Sequence, residues 1–128
     1  MSVVVERIPD QPIIVFHYDG FLDIETMQSA FKQSAAIAAG MEGTIYRISD
    51  IRTADSNFIE IMNILKISRA NTQGTSADPK YQVMFVGQNQ LARMYTDALK
   101  QLGVPPIPFF NTMEEAMQFI EVEQHKQV

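Results

Sequence analysis

Residues 44–65 read TIYRISDIRTADSNFIEIMNIL and predict a strand, a turn and a helix in succession. The β-branched and aromatic run Thr44–Ser49 is typical of a strand, which we expect to end at Asp50. A short polar turn follows, and Asp55 and Ser56 have side chains that can cap the apolar-periodic helix behind them. In an α/β sheet, this junction between a strand end and a helix N-terminus is where a ligand or a modification is normally found.

Upstream of this region, the chain predicts a hairpin followed by a helix. Val3–Ile8 is rich in β-branched residues, and two prolines within residues 9–12 favour a turn before the apolar run Ile13–Tyr18. Because the connection is short, we expect these two strands to pair antiparallel. Asp23 can cap a first helix, which the glycines from Gly40 onward should end.

Downstream, helical and strand patterns alternate to the end of the chain. The predicted segments are a second helix to about Asn71, a polar loop over 72–80, a strand Tyr81–Val86, a helix over 91–102, a short strand Ile107–Phe110, and a fourth helix that begins at a Thr112/Glu115 capping pair and frays after Glu121.

The element order is therefore ββαβαβαβα, which predicts an α/β protein. Alternating strands and helices favour a mostly parallel sheet with right-handed crossovers. We expect five strands in sequence order, with the N-terminal strand as an antiparallel edge and four helices packed on the sheet. A length of 128 residues and 46% hydrophobic residues predict a single domain over 1–128 with a substantial core.

Composition excludes several classes of function. A net charge of −5 argues against binding to nucleic acid or to an anionic membrane surface. The absence of cysteine excludes disulfides, thiolate catalysis and cysteine-bound metals. No apolar run approaches the roughly 20 residues of a membrane span, and the N-terminal residues do not resemble a signal peptide. We therefore expect a cytoplasmic protein that needs no cofactor.

Four segments resemble a known family. They are Tyr18–Asp23, Tyr46–Asp50, Phe85–Tyr95 and Phe110–Ala116, the last of which has the pattern Phe-x-Thr-x-Glu-Glu-Ala. Together they are similar to the SpoIIAA-like family, the fold of anti-sigma-factor antagonist (STAS) domains, and in particular to its stand-alone, mostly uncharacterised bacterial branch. The resemblance implies a SpoIIAA-like fold and a non-enzymatic regulatory or protein-interaction module.

The same resemblance implies a phosphorylation site. In the antagonist proteins, a serine at the start of the second helix is phosphorylated by a partner kinase, within a pattern close to Asp-Ser-Ser-Gly. The nearest match here is Asp55-Ser56, which is followed by Asn57 and Phe58 rather than by serine and glycine. The hypothesis is that Ser56 is accessible and can be phosphorylated, because a helix N-terminus tolerates added negative charge.

The acidic turn contains the candidate site residues Asp50, Arg52, Asp55 and Ser56. One interpretation is that they hold a small polar ligand, or a phosphate on Ser56. The other is that Asp50 fastens the turn, Asp55 or Ser56 caps the helix, and Arg52 is solvated. We expect His17 to be packed or surface-exposed rather than catalytic, and no spacing of His, Asp and Glu indicates a metal site.

The second helix has more apolar surface than one face needs. A stripe that begins at Phe58 should pack on the sheet, while three isoleucines, Ile59, Ile64 and Ile67, lie outside it. These isoleucines are either covered by neighbouring helices or offered to a partner. We predict a homodimer that uses them, and a further protein partner is compatible with the same surface.

Three functions therefore compete. The first is a non-enzymatic STAS-like regulatory or interaction module. The second is a carrier of an apolar or amphipathic, lipid-like molecule, which the eight methionines favour because they can line an adaptable pocket. The third is an enzyme that uses the Asp50/Asp55 turn, for which the sequence offers no base or metal partner.

Overall fold

A computed structural model of the chain describes residues 2–70, 79–103 and 107–126. It confirms the predicted order ββαβαβαβα. The elements are β1 (Ser2–Arg7), β2 (Ile13–Phe21), α1 (Ile24–Ala38), β3 (Ile45–Asp55), α2 (Phe58–Ala70), β4 (Tyr81–Val86), α3 (Gln90–Gln101), β5 (Phe109–Phe110) and α4 (Met113–Lys126).

The five strands form one sheet in the order β1-β2-β3-β4-β5. β1 pairs antiparallel with β2, and every other pair is parallel. The predicted sheet is therefore confirmed, including its antiparallel N-terminal edge. The two central strands β2 and β3 are buried over most of their length, as expected for strands covered on both faces.

The helices divide unequally between the two faces of the sheet. The face that packs against α1, α2 and α3, here the three-helix face, includes Ile14, Phe16 and Tyr18 of β2. The opposite face, here the α4 face, includes Ile13 and Val15 and packs against α4 alone. Successive residues of a strand point to opposite faces, so β2 supplies both cores in turn.

β3 is longer than predicted and contains an irregularity in its pairing with β2. Between His17 and Asp19, β2 advances two residues, while its partner β3 advances three, from Asp50 to Thr53. This extra residue is a β-bulge. The prediction that the strand ends at Asp50 is wrong, because β3 pairs with β2 again beyond the bulge and continues to Asp55. Both Ile51 and Ala54 lie on the three-helix face.

Other boundaries differ more modestly. β5 is confined to Phe109–Phe110 rather than 107–110, and α4 continues to Lys126 where fraying after Glu121 was predicted. The predicted end of the second helix at Asn71 and most of the predicted loop over 72–80 lie outside the described residues. No helix within the described part of the chain combines the length and apolar character needed to cross a membrane.

Candidate functional site

Asp50 and Arg52 form a tightly bonded pair at the β-bulge of β3. Arg52 donates from Nε to Asp50 Oδ1 and from Nη2 to Asp50 Oδ2, both at 2.9 Å. The backbone N–H of Arg52 also donates to Asp50 Oδ1, at 3.2 Å. The bulge places Arg52 where its amide can meet this side chain, as in an Asx turn. Because residues 50–55 continue β3 and form no turn, Asp50 stabilises the bulged strand rather than a turn, and Arg52 is bonded to Asp50 rather than simply solvated.

These bonds favour the ionised form of Asp50. The side-chain hydrogen bonds from Arg52 lower the pKa of Asp50 most, and the Arg52 amide, the Arg52 charge and His17 lower it further against the opposing effect of burial. The Asp50 side chain is only 13% exposed, whereas that of Arg52 is 49% exposed. A carboxylate whose two oxygens are already engaged is a poor general base.

His17 extends this pair into a chain of polar contacts across three strands. Its Nε2 lies 2.7 Å from Glu6 Oε1 on β1, and its Nδ1 lies 3.6 Å from Asp50 Oδ2 on β3. The strand pairing explains both contacts. Asp50 is opposite His17 in β3, while Glu6 is opposite Val15, which lies two residues from His17 on the same face of β2. Glu6 is not among the residues predicted for the site, although the predicted hairpin places it on the strand that pairs with the strand of His17.

Asp55 and Ser56 belong to a separate arrangement at the junction of β2, α1 and α2. The Ser56 hydroxyl donates to the carbonyl oxygen of Leu22 at 2.8 Å, and the Leu22 amide donates to the carbonyl oxygen of Asp55 at 2.7 Å. No hydrogen bond or ion pair of the described residues joins Asp55 or Ser56 to Asp50 or Arg52. The four candidate residues therefore form two groups rather than one site.

Two expectations for Ser56 need correction. The residue is buried, with 8% exposure, so the expectation that its hydroxyl is accessible is wrong. Neither Asp55 nor Ser56 caps α2. Asn57 does so, because Glu60 donates its amide to Asn57 Oδ1 at 2.8 Å. The longer β3 carries the chain past the predicted cap and leaves the next polar residue to fill that position.

The three isoleucines of α2 have different environments. Ile64 is buried at 3% exposure, so its assignment to an outer surface is wrong, and Ile67 is partly buried. The physical reason is that α2 packs between α1 and α3, which cover its flanks. Ile59 alone is strongly exposed, at 72%. A second exposed apolar residue, Phe21, ends β2 opposite Asp55 and is 43% exposed.

The chemistry available at this end of the sheet is limited. His17 contacts two carboxylates, while the Ser56 hydroxyl contacts a backbone carbonyl, so the pairing of nucleophile and base that catalysis by Ser56 would need is not formed. Across residues 2–70, 79–103 and 107–126, no group of three His, Cys, Asp or Glu side chains is arranged to hold a metal ion.

Arg47, which is not among the predicted site residues, is buried among aromatic rings. Only 1% of it is exposed, and its guanidinium carbon lies 4.8 Å from the ring centroid of Phe16, 5.3 Å from that of Phe31 and 4.9 Å from that of Tyr81. Such distances are typical of cation–π contacts. The available signal was its place between apolar residues in the predicted strand Thr44–Ser49.

Two tyrosines share this interior with Arg47. Burial raises the pKa of Tyr18 well above its ordinary value and raises that of Tyr95 to about 12. In both cases the positive charge of Arg47 acts in the opposite direction, because it favours a phenolate. Both phenols therefore remain neutral under ordinary conditions and serve the packing of the core.

Similar proteins are found among solved structures but not by comparison of sequences. No protein-family model matches the chain, and no curated protein matches it. Among solved structures, SpoIIAA, an anti-sigma factor antagonist in its unphosphorylated form, matches with a TM-score of 0.64 and 15% identity over 94% of this chain and 96% of its own.

Two further structures agree with this result. An uncharacterised Shewanella loihica protein of the DUF3478 family, described as having a SpoIIAA-like fold, has a TM-score of 0.59 and 20% identity over 92% of this chain and 91% of its own. An anti-sigma factor antagonist from Mycobacterium paratuberculosis has a TM-score of 0.56 and 16% identity over 94% of this chain and 93% of its own. The chain has the SpoIIAA-like fold of STAS domains.

Proposed function

We propose that this chain is a non-enzymatic STAS-like regulatory module that acts in the cytoplasm by binding protein through the exposed start of α2. The observation that carries the proposal is Ile59, which is 72% exposed in the first turn of that helix. The structural likeness to two anti-sigma factor antagonists supports the regulatory role. The absence of cysteine fits a reducing compartment.

The binding surface of this proposal is smaller than the sequence predicted. With Ile64 buried and Ile67 partly buried, Ile59 remains, and Phe21 lies at the same end of the sheet. Burying a fully exposed aliphatic or aromatic side chain of this size stabilises a complex by about 1.5–3 kcal/mol. The proposed occupant is a second copy of this chain, which would bring two such patches together.

Sedimentation velocity tests the dimer. Ile59→Glu should give a folded monomer at concentrations where the wild type is dimeric, because it places a charge in the contact. Val4→Glu is the matched control, since Val4 is also an exposed apolar residue, at 57%, but lies on β1. A wild-type chain that is monomeric at all concentrations contradicts the dimer and leaves a different protein as the partner to be sought.

Phosphorylation of Ser56 remains part of this proposal, with a restriction. The hydroxyl is bonded to Leu22 and buried, so a kinase could reach it only after the junction between β2 and α1 opens. Mass spectrometry of the protein from its native cells should find a phosphopeptide that contains Ser56. If Ser56 is unmodified under all growth conditions, the switch is ruled out while the docking role is unaffected.

The carrier and the enzyme remain competing hypotheses with less support. Several methionines, including the fully buried Met84, contribute to the two cores, where they act as packing residues. His17 and Asp50 are close, which the enzyme hypothesis needs, but Asp55 belongs to the separate junction. Retention of a lipid after native purification, or turnover that is lost in Asp50→Asn, would favour one of them.

A further inference from the structure

The outer edge of β5 is unpaired among residues 2–70, 79–103 and 107–126. β5 ends the sheet that these residues form, and there its two residues pair with β4 on one side only. Phe85 donates its amide to the Pro108 carbonyl at 3.0 Å, and Gly87 donates to the Phe110 carbonyl at 2.8 Å. Backbone groups alternate in direction along a strand, so the N–H and C=O of Phe109 point away from β4.

A cleft lies on each side of this edge. The first, of about 370 Å³, lies beside α3 and is lined by Phe109 and by polar residues that include Arg93, Thr96 and Asp97. The second, of about 390 Å³, lies beside α4 and is lined by Phe110, Phe119 and Val122, with charged residues around them. We name them the α3 cleft and the α4 cleft.

The two side chains of β5 pack on opposite faces of the sheet, one beside each cleft. The Phe109 ring stacks on Phe85 of the three-helix face, with ring centroids 4.9 Å apart. The Phe110 ring contacts Phe119 of α4, with centroids 5.3 Å apart. A strand added alongside β5 would alternate in the same way and direct successive side chains into the α3 cleft and the α4 cleft.

We propose that the outer edge of β5 binds an extended segment of a partner protein as a sixth strand of the sheet. The unpaired backbone groups of Phe109 would supply the main-chain hydrogen bonds, and the two clefts would select the side chains. This surface differs from the one at Ile59, so the inference goes beyond the proposed function and does not depend on it.

The charges of the α4 cleft indicate the chemistry of that segment. Glu115 and Glu123 contribute two carboxylates, while Lys126 is the single cation of the cleft and is bonded to Glu123 at 3.2 Å. The whole chain carries a net charge of −5. The bound segment should therefore place an apolar side chain at every second position, against Phe119 and Val122, with lysine or arginine at its ends.

The probe is the synthetic peptide acetyl-Lys-Val-Thr-Val-Thr-Val-Lys-amide, titrated into isotope-labelled protein and followed by NMR. We expect amide shifts at Phe109, Thr96 and Val122, and exchange of the Phe109 amide with solvent should slow at least tenfold at saturation. The control peptide has proline in place of its central valine, which removes a backbone donor and should weaken binding. No shifts with the first peptide, or shifts confined to other surfaces, would overturn the inference.

Variants of the protein make the test independent of folding and of the Ile59 surface. Val122→Lys removes an apolar contact and repels the basic peptide, so it should weaken binding about tenfold, while Val4→Lys, at a similarly exposed valine, should not. Ile59→Glu should bind the peptide as the wild type does. If Val122→Lys instead abolishes self-association, the edge binds a second copy of this chain and the proposed partner is wrong.

Discussion

The hydroxyl of Ser56 donates a 2.8 Å hydrogen bond to the carbonyl oxygen of Leu22. The amide of Leu22 in turn donates to the carbonyl of Asp55, the residue before Ser56, at 2.7 Å. Two chain segments that are distant in sequence are therefore fastened to each other at the point where β2 leads to α1 and β3 leads to α2. Ser56 has a structural role at this junction, whatever else it does.

We predict that Ser56→Ala destabilises the protein by about 1–3 kcal/mol, because the buried Leu22 carbonyl loses its side-chain donor. Urea denaturation followed by circular dichroism measures the change. Ser29→Ala is the control, because Ser29 is exposed on α1, and its effect should stay within about 0.5 kcal/mol. Equal stabilities of the two variants would show that the Ser56 bond contributes nothing.

The Asp50–Arg52 pair predicts a dependence of stability on pH. The pKa of Asp50 is lower in the folded chain than in the unfolded one, where an aspartate has a pKa of about 3.9. The resulting stabilisation is complete above that value and is lost as the pH falls through the folded pKa. The difference in unfolding free energy between wild type and Asp50→Asn should therefore shrink in acid. A difference that is constant with pH would contradict this account.

Arg47 should behave as a packing residue. Arg47→Ala removes a large, fully buried side chain from among three aromatic rings, and we expect a loss of about 3–5 kcal/mol in unfolding free energy. Arg47→Met fills much of the same volume, so its loss should be smaller than that of Arg47→Ala. Thermal and urea unfolding distinguish the two. If both variants are equally unstable, the charge rather than the volume is what the core requires.

Ile64 and Ile59 offer a direct comparison on one helix. Ile64→Ala creates a cavity in the core, and we expect it to destabilise the protein by about 2–5 kcal/mol. Ile59→Ala, at a strongly exposed position, should change the stability of the monomer by less than about 0.5 kcal/mol. Unfolding should be measured at a protein concentration at which the chain is monomeric. Similar losses of unfolding free energy for both variants would mean that the two side chains are equally buried.

Gly87 cannot be replaced without strain. Its φ is +146°, and a Cβ at this position would lie 2.9 Å from Cγ1 of Ile51. Gly87→Ala should therefore destabilise the protein by more than about 1 kcal/mol. Gly40→Ala is the control, because no atom lies within 4 Å of its added Cβ and its φ is not positive, so the change should be neutral or slightly stabilising. Equal changes in unfolding free energy for both variants would show that the positive φ of Gly87 and the close contact with Ile51 do not matter for stability.

The sequence predicted the fold better than the site, for reasons that individual residues make clear. Strand identity depends on local runs such as Tyr81–Val86, whose predicted and observed bounds agree. Parallel order follows from the alternation of strands and helices. Asp23 was recognised as a cap because its pattern is local, and Thr26 does donate its amide to Asp23 Oδ1 at 2.8 Å.

The predictions that are wrong concern residues whose environment depends on segments distant in the sequence. Nothing within α2 shows that α1 and α3 cover Ile64, because the covering helices are separated from it by strands. The bulge after Asp50 is a feature of the pairing with β2, and beyond it β3 continues to pair with β2 as far as Asp55, which a local reading of the sequence does not reveal. The contact between Glu6 and His17 likewise depends on the register of the β1–β2 pair.

The unequal covering of the sheet has a consequence for synthesis on the ribosome. The α4 face includes buried residues from β2, β3 and β4, such as Val15, Ile48 and Met84, and its helix comes after all five strands in the chain. The three-helix face can close as the chain emerges, whereas the opposite face stays bare until α4 has been translated. Nascent chains that stall before residue 113 would present an apolar sheet surface, which makes them substrates for chaperones and prone to aggregation.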